Sequence, residues 1–396
     1  MINFAVVGIG NFGAVHLDAA RRIADAGLAR FIAVADIRLA DFADEVAELR
    51  GRGVVCYANH REMLDSHPEL DLVTLPVPIH LHAPMTVVCL ERGLHVLVEK
   101  PPASTLAEAR QMAEVARRTG KLCGVGFQYS TSPLLSAIRQ IIEGGRLGDI
   151  TSLSTLCLGK RYDNYYARAR WAGRIIVDGK IVRDGTLNNP YAHMAQLLLT
   201  VAGIAAGGPV RPIELEAELF AGHDIETEDT CALRARLSSG VPFHFYSSVC
   251  THFPFNMQIR IEGTKGVIDW KVTGNPQARV RFADGTEEIL PNLITDDGGN
   301  TPAVFRNYIE ALEGRAQLAC PIDDTLAFAE LVEKMFTEHS VTHLHDTPYV
   351  TRVELEDGGR QEVATYLDGI EDYAVKAFET GKLYSEVGAP WAKVKG

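Results

Sequence analysis

Phe4-Ala5-Val6-Val7-Gly8-Ile9-Gly10-Asn11-Phe12-Gly13 is an apolar run of strand length that meets a glycine turn, and Ala14 to Ala26 after it reads as a helix closed by Gly27. Each glycine of such a strand-turn-helix unit has a separate task. Gly8 permits the tight turn, Gly10 lets a pyrophosphate approach the backbone, and Gly13 packs helix on strand, with the helix N-terminus directed at phosphate. Asn11 and Phe12 fill the variable positions of the same loop and count with it as candidate cofactor contacts. Asp36 lies 23 residues after Gly13, at the end of the next apolar run, Phe31 to Ala35. A carboxylate there accepts hydrogen bonds from adenosine ribose hydroxyls. Its charge disfavours a 2′-phosphate, so NAD is expected over NADP, while Arg38, two residues on, pulls the other way.

Outward from that unit, strand and helix signals alternate. Val54 to Tyr57, Leu72 to Leu75, Leu94 to Val98 and Leu122 to Gly126 read as buried strands. Between them, Gly93 ends one helix, and Thr105-Leu106-Ala107-Glu108 is a capping box that opens another, ended by Gly120. Repeated βα units predict a doubly wound, mostly parallel sheet with helices on both faces, a Rossmann domain over residues 1–128. Beyond it the pattern changes. Ile213 to Leu219 and Cys231 to Leu237 alternate strictly, and Phe243 to Val249, Asn256 to Glu262 and Gly266 to Trp270 continue the set. Residues 129–396 are therefore expected to form an α+β domain for substrate binding and oligomerisation, on a largely antiparallel open sheet. Its helices are expected near Ala192 to Ala202, Ala303 to Leu312, Thr325 to Glu338 and Gly369 to Thr380.

The chain has 396 residues, enough for two domains, and its 46% apolar and 23% charged content is that of a globular protein. With 39 Lys and Arg against 51 Asp and Glu, the net charge of −12 is the wrong sign for nucleic acid or an anionic membrane surface. No basic leader opens the sequence, and no apolar run is long enough to span a bilayer. Seven scattered cysteines without a CxxC pair argue for buried thiols in a reducing cytoplasm rather than for zinc fingers or disulfides.

Two further segments carry chemistry. Glu99-Lys100-Pro101-Pro102 ends the fifth strand, at the sheet edge where open α/β folds bind ligands, and a Lys there can donate to a substrate hydroxyl and stabilise the alkoxide that forms. Asn188-Asn189-Pro190-Tyr191-Ala192-His193 reads as a helix start with Asn189 as N-cap and Pro190 in the first helical position. His193 then lies in the first turn, where the helix dipole disfavours the imidazolium and suits a general base.

Together these motifs resemble the Gfo/Idh/MocA family of nicotinamide-dependent oxidoreductases. The resemblance runs through Asp71-Leu72-Val73 to Pro78 and His82, Gly93-Leu94-His95-Val96 into Glu99-Lys100-Pro101, Gly185 to His193, and Ile261-Glu262-Gly263-Thr264-Lys265-Gly266. It implies that Lys100 and His193 act catalytically on a hydroxyl of a sugar, glycoside or cyclitol, with His193 as acid/base. It also implies that Pro78, His82, Glu99 and Lys100 join Gly8, Gly10, Gly13, Asp36 and Arg38 around NAD. The chain departs from the pattern at Asn189, where many members carry Asp, at Val77 in place of Thr, and over Tyr129 to Pro133, which lacks an Arg. Asp184 is a candidate to supply the missing carboxylate.

The loop Lys160 to Arg174 is dense in Arg and aromatics for so acidic a chain. Arg161, Tyr166, Arg170, Trp171 and Arg174 are read with Asp184 and Asn189 as substrate contacts, with preference for an anionic sugar held by Arg170 and Arg174. A subunit contact in a homodimer or homotetramer and a nucleic-acid patch are the alternative readings of the loop. His339, His343, His345 and Asp346 have metal-like spacing but fall at a helix end, and no metal is expected. Three functions stay open at this point: a sugar dehydrogenase, a redox-cycling glycosidase that oxidises, eliminates, hydrates and reduces, and a cofactor-sensing regulator without turnover.

Overall fold

The computed structural model describes residues 1–272, 277–293 and 300–393, and the chain divides into two compact units. The first holds Met1–Ser132 and takes back residues 300–326 from far along the chain. Its elements are β1 (Asn3–Val7), α1 (Gly13–Asp25), β2 (Arg30–Ala35), α2 (Ala43–Gly51), β3 (Val55–Tyr57), α3 (His60–Ser66), β4 (Leu72–Leu75), α4 (Ile79–Glu91), β5 (His95–Val98), α5 (Leu106–Thr119) and β6 (Cys123–Val125). All six strands are parallel in the order β3-β2-β1-β4-β5-β6. Strand order reverses between β1 and β4, and a sheet of this kind opens its ligand crevice at that reversal, beyond the carboxyl ends. The Thr105/Glu108 capping box starts α5, and Gly120, at φ 68°, ends it. Phe4 stacks on Phe31 with centroids 5.1 Å apart, and Phe305 meets Phe4 edge-on.

Phe305 belongs to helix Thr301–Leu312, which the sequence reading placed in the second domain. Its apolar stripe, Val304, Phe305, Tyr308 and Ile309, joins the core of the parallel sheet. The Tyr308 hydroxyl lies 2.7 Å from the carbonyls of Val96 and Leu122, and a Cβ on Gly124 would stand 2.6 Å from its ring.

The second unit begins with α6 (Pro133–Glu143), β7 (Ile150–Lys160), α7 (Asp163–Ala167), β8 (Ile176–Val177), β9 (Lys180–Ile181) and α8 (Ala192–Ala206). There follow β10 (Pro212–Ala221), β11 (Thr230–Leu237), β12 (Pro242–Ser248), β13 (Cys250–Gly263), β14 (Gly266–Lys271), β15 (Ala278–Phe282) and β16 (Glu287–Leu290). After Thr301–Leu312, which is α9, the unit resumes with α10 (Leu326–Glu338), β17 (Val341–His343), β18 (Val350–Asp357), β19 (Arg360–Leu367) and α11 (Ile370–Thr380). The sheet order is β16-β15-β14-β13-β7-β12-β11-β10-β17, antiparallel except for the β7–β12 and β10–β17 pairs. β7, which the sequence reading left out, is the central strand, buried from Leu153 to Gly159. Leu156 and Leu158 pack with Ile370, Ala374, Phe378 and Trp391 on the α11 side, while the alternate side chains Leu153, Thr155 and Cys157 face the side of α8. Among the described residues no helix is long and apolar enough to cross a membrane.

Candidate functional site

In the first unit the glycine turn is built as its spacing requires. Gly8 has φ +94°, and a Cβ on Gly13 would stand 2.4 Å from the Gly8 carbonyl oxygen, so the helix reaches the strand only without a side chain there. A Cβ on Gly10 would stand 2.8 Å from the Phe42 ring and 3.2 Å from Arg38 Nη2. The turn thus keeps open a cradle that any other residue would fill. No side chain caps α1, which leaves first-turn N–H groups to an anion. Asp36 is held in place: Oδ2 accepts from Ile9 N at 2.9 Å and Oδ1 from Arg38 N at 2.8 Å. The donors and the cradle fit a dinucleotide. Arg38 Nε stands 3.9 Å from the Asp41 carboxylate, so its charge is partly answered within its own turn.

Lys100 is braced from both sides. Glu99 is buried, takes a hydrogen bond from His16 Nε2 at 2.9 Å on Oε1 and one from Lys100 N at 2.9 Å on Oε2. Burial pushes the Glu99 pKa up, but the His16 hydrogen bond and charge and the Lys100 charge outweigh it, so the carboxylate lies below its ordinary range and stays ionised. Gly126 makes room for this, because a Cβ there would stand 2.5 Å from Glu99 Oε1. On the other side of the turn, His82 Nδ1 lies 2.8 Å from the Pro101 carbonyl and Nε2 lies 2.8 Å from the Val77 carbonyl. Only an imidazolium donates to both, and burial lowers the His82 pKa against those two bonds. Glu99 and His82, read from sequence as cofactor contacts, spend these groups on the turn that presents Lys100. Pro78 immediately precedes α4 at φ −57° and directs the chain into that helix.

In the second unit the structure corrects the helix start. α8 begins at Ala192 with Tyr191 before it, and it runs past the expected Ala202 to end at the left-handed Gly207. Asn189 is not its cap. Its Nδ2 donates instead to Asp184 Oδ1 at 2.6 Å and to the Tyr165 hydroxyl at 3.1 Å. With that side chain engaged, residues 185–191 form a separate turn, closed by Asn189 N to Gly185 O and Tyr191 N to Thr186 O. His193 is buried in the first helical turn.

Asp184, Asn189, Arg161 and Tyr166 are brought into one polar cluster. Asp184 Oδ2 accepts from Gly173 N at 2.8 Å, and burial raises its pKa against that bond, the Arg161 charge and the Asn189 bond. The guanidinium of Arg161 lies 3.9 Å from the Tyr165 ring centroid and that of Arg168 3.8 Å. Tyr166 packs on the buried His223 at 4.8 Å between centroids, and Trp171 stands 5.2 Å from the Arg168 guanidinium. Arg170 and Arg174 form exposed ion pairs with Asp178 at 2.9 Å and Glu226 at 2.7 Å, line a cavity of about 300 Å³ with Ile176 and Val177, and line a second one beside Tyr166.

Sequence reasoning missed the residues that hold this cluster, Thr227-Glu228-Asp229 in the β10–β11 connection. Thr227 Oγ1 donates to the Asp184 carbonyl at 3.0 Å, and Glu228 Oε1 accepts from Thr186 Oγ1 at 3.2 Å and Leu187 N at 3.3 Å. A Cβ on Gly185 would stand 1.9 Å from Glu228 Oε2, so only glycine admits that carboxyl. Three polar residues just before an alternating strand were the available signal. Asp229 Oδ2 accepts from His223 N at 2.7 Å and from His223 Nδ1 at 2.8 Å, and Cys250 Sγ stands 3.4 Å from the same Nδ1. These three buried groups are the cation-sized cluster among the described residues, but Asp229 already meets its donors. In the other histidine group, His339 Nε2 accepts from Ala217 N at 3.1 Å and His345 pairs with Asp346.

Two family models match this chain: the oxidoreductase family with NAD-binding Rossmann fold over residues 2–127 and the GFO/IDH/MocA C-terminal domain over residues 135–269. The chain belongs to the Gfo/Idh/MocA family. Among curated relatives, it is 25% identical over 225 residues to the uncharacterized oxidoreductase YfiI of Bacillus subtilis, covering 54% of this chain and 56% of that one. It is 24% identical over 341 residues to an inositol 2-dehydrogenase of Rhizobium meliloti, covering 84% and 95%. For several of the curated relatives it matches, the chain spans about half of their length or less. Among solved structures, the WlbA dehydrogenase of Chromobacterium violaceum in complex with NADH and UDP-GlcNAcA superposes with a TM-score of 0.69 at 25% identity, covering 85% of this chain and 93% of that one. The first unit is therefore the NAD-binding Rossmann domain of a Gfo/Idh/MocA protein, and the second carries the mostly antiparallel mixed sheet of its C-terminal domain.

Proposed function

We propose that this chain is an NAD-dependent oxidoreductase that oxidises a ring hydroxyl of a sugar, glycoside or cyclitol. The observation that carries the reading is the Lys100 turn. Glu99, kept ionised in a buried site, and His82 hold a lysine at the carboxyl end of β5, one strand beyond the β1/β4 reversal at which the glycine cradle and Asp36 fit a dinucleotide. NAD, when bound, supplies the hydride acceptor. Lys100 donates a hydrogen bond to the reacting hydroxyl and stabilises its oxygen as negative charge develops. His193 takes the hydroxyl proton. Asn189 and Asp184, tied to each other and to Tyr165, orient the turn before α8. Asp36 binds the ribose and makes NAD the preferred cofactor over NADP. The relatives fit the substrate class, one being an inositol dehydrogenase and one a WlbA protein seen with a nucleotide sugar.

The experiment is a panel of free sugars, cyclitols and aryl glycosides with NAD, following NADH absorbance and aglycone release together. One NADH per oxidised sugar is the expected result. Aglycone release over many turnovers without net NADH would assign the redox-cycling glycosidase instead. NAD binding with no turnover of any substrate would leave the regulator.

A further inference from the structure

We infer that Arg161 and Arg168, both stacked on Tyr165, form a subsite for an oxyanion substituent of the substrate, a carboxylate, sulfonate or phosphate. The inference rests on the sugar-oxidising reading above and narrows its substrate class.

The four arginines between β7 and β8 separate into two kinds. Arg170 and Arg174 already hold Asp178 and Glu226, so each pair is close to neutral and a ligand anion would have to displace a carboxylate. Such pairs offer donors and acceptors side by side, which suits neutral hydroxyls. Among the described residues neither Arg161 nor Arg168 has a carboxylate in ion-pair range. The nearest negative group felt by both is Asp184, which already accepts from Gly173 N and Asn189 Nδ2. Two guanidiniums thus share that one carboxylate, in a chain of net charge −12.

The geometry is prepared for that ligand. Arg168 Nη2 donates to the Tyr165 hydroxyl at 2.7 Å and Asn189 Nδ2 donates to it at 3.1 Å, which fixes the ring that both guanidiniums share. Beyond the Nη2 that Arg168 gives to Tyr165, the remaining guanidinium N–H groups serve a carboxylate, and a guanidinium held by stacking loses little freedom on binding. The position is also right for specificity: the same Asn189 side chain connects the pair to the turn that opens α8, four residues before His193. Arg161 is partly buried and Arg168 is exposed, so the pair can be entered from solvent.

The test is calorimetry on NAD-loaded protein with methyl glucuronide, glucose 6-phosphate and uncharged methyl glucoside, in wild type, Arg168→Gln, Arg161→Gln and Arg161→Lys. A charge-assisted hydrogen bond corresponds to roughly ten- to a hundredfold in affinity. At least one anion is expected to bind wild type about tenfold or more tightly than the neutral glucoside, and which one names the substituent. Each Gln variant should lose most of that preference, with a far smaller change for the glucoside, and Arg161→Lys should keep part of it. Arg168 is exposed, so its variant reads the subsite even if Arg161→Gln lowers the melting temperature. Equal affinity for charged and neutral probes, no binding of either anion at millimolar concentration, or a preference that survives both Gln substitutions overturns the inference. Absence of NADH from every sugar would instead defeat the dehydrogenase reading while the affinity difference persisted.

Discussion

Two buried glutamates, one in each unit, have pKa values shifted in opposite directions. Glu99 is 7% exposed and Glu228 1%, so burial favours the neutral acid in both. Glu99 faces His16 and Lys100 and is held below its ordinary pKa. Glu228 faces Thr186 and backbone N–H groups, with no ion pair among the described residues, and burial pushes it up to about 7. The same side chain is thus an ionised brace under Lys100 and a protonatable prop under the turn at 185–187. The difference teaches that partners rather than depth decide what a buried acid does: one holds charge beside Lys100, the other positions backbone.

The largest effect should come from taking away the cation on the Glu99 side. Lys100→Met is expected to lower kcat by about a hundredfold to a thousandfold, the usual cost of removing an oxyanion-stabilising donor, while NAD still binds when titrated by calorimetry. Turnover close to wild type would take Lys100 out of the chemistry.

A smaller effect sharpens the Glu228 side. Its folded pKa lies above the value of 4.5 expected for an unfolded chain, so its contribution to stability is complete below pH 4.5 and is lost as pH rises to about 7. Glu228→Gln carries no charge at any pH. It should match wild type near pH 4.5, then gain on it with rising pH, up to about 3 kcal/mol above pH 7 in urea unfolding. For Glu99 the sign is reversed, its stabilisation being present above about pH 4.5 and lost as pH falls through its depressed pKa. Parallel stability curves for wild type and Glu228→Gln would mean that Glu228 is not neutral in the fold.

The smallest effect concerns a carboxylate that is partly exposed. Asp36→Ser should weaken NAD and move the NAD to NADP ratio of kcat/KM by about tenfold, because the carboxylate binds ribose and repels a 2′-phosphate. A wild type that already prefers NADP would give the decisive role to Arg38.

What was legible in the sequence follows the distance over which its signals act. The glycine turn, the Thr105/Glu108 box and the run of short apolar strands are local patterns, and the parallel sheet realises them with boundaries shifted by a residue or two. Thr301–Leu312 was legible as a helix, but an apolar stripe does not say which sheet it covers. β7 went unread because Ser and Thr at 152, 154 and 155 obscure a strand buried on both sides. The β18–β19 hairpin carried a clear sign, Gly358-Gly359 at φ 59° and 78° between alternating runs, and was overlooked. In the candidate site, Lys100 and His193 stand in readable motifs. Glu228 reaches residues about forty positions earlier in the chain, a pairing that only the folded sheet reveals. Asn189 was misread as a cap because an Asn before Pro has the cap's pattern, whereas its side chain is taken by Asp184 and Tyr165.

The central claim is that hydride leaves a sugar carbon for NAD under the control of Lys100, and isotopic labelling reads that transfer directly. NAD-loaded protein is mixed for a single turnover with the best sugar of the panel, deuterated at the carbon to be oxidised, and the nicotinamide is analysed by mass spectrometry. The account predicts one deuterium in the reduced nicotinamide for wild type and almost none for Lys100→Met over the same time. Product formed by wild type with unlabelled nicotinamide would contradict it.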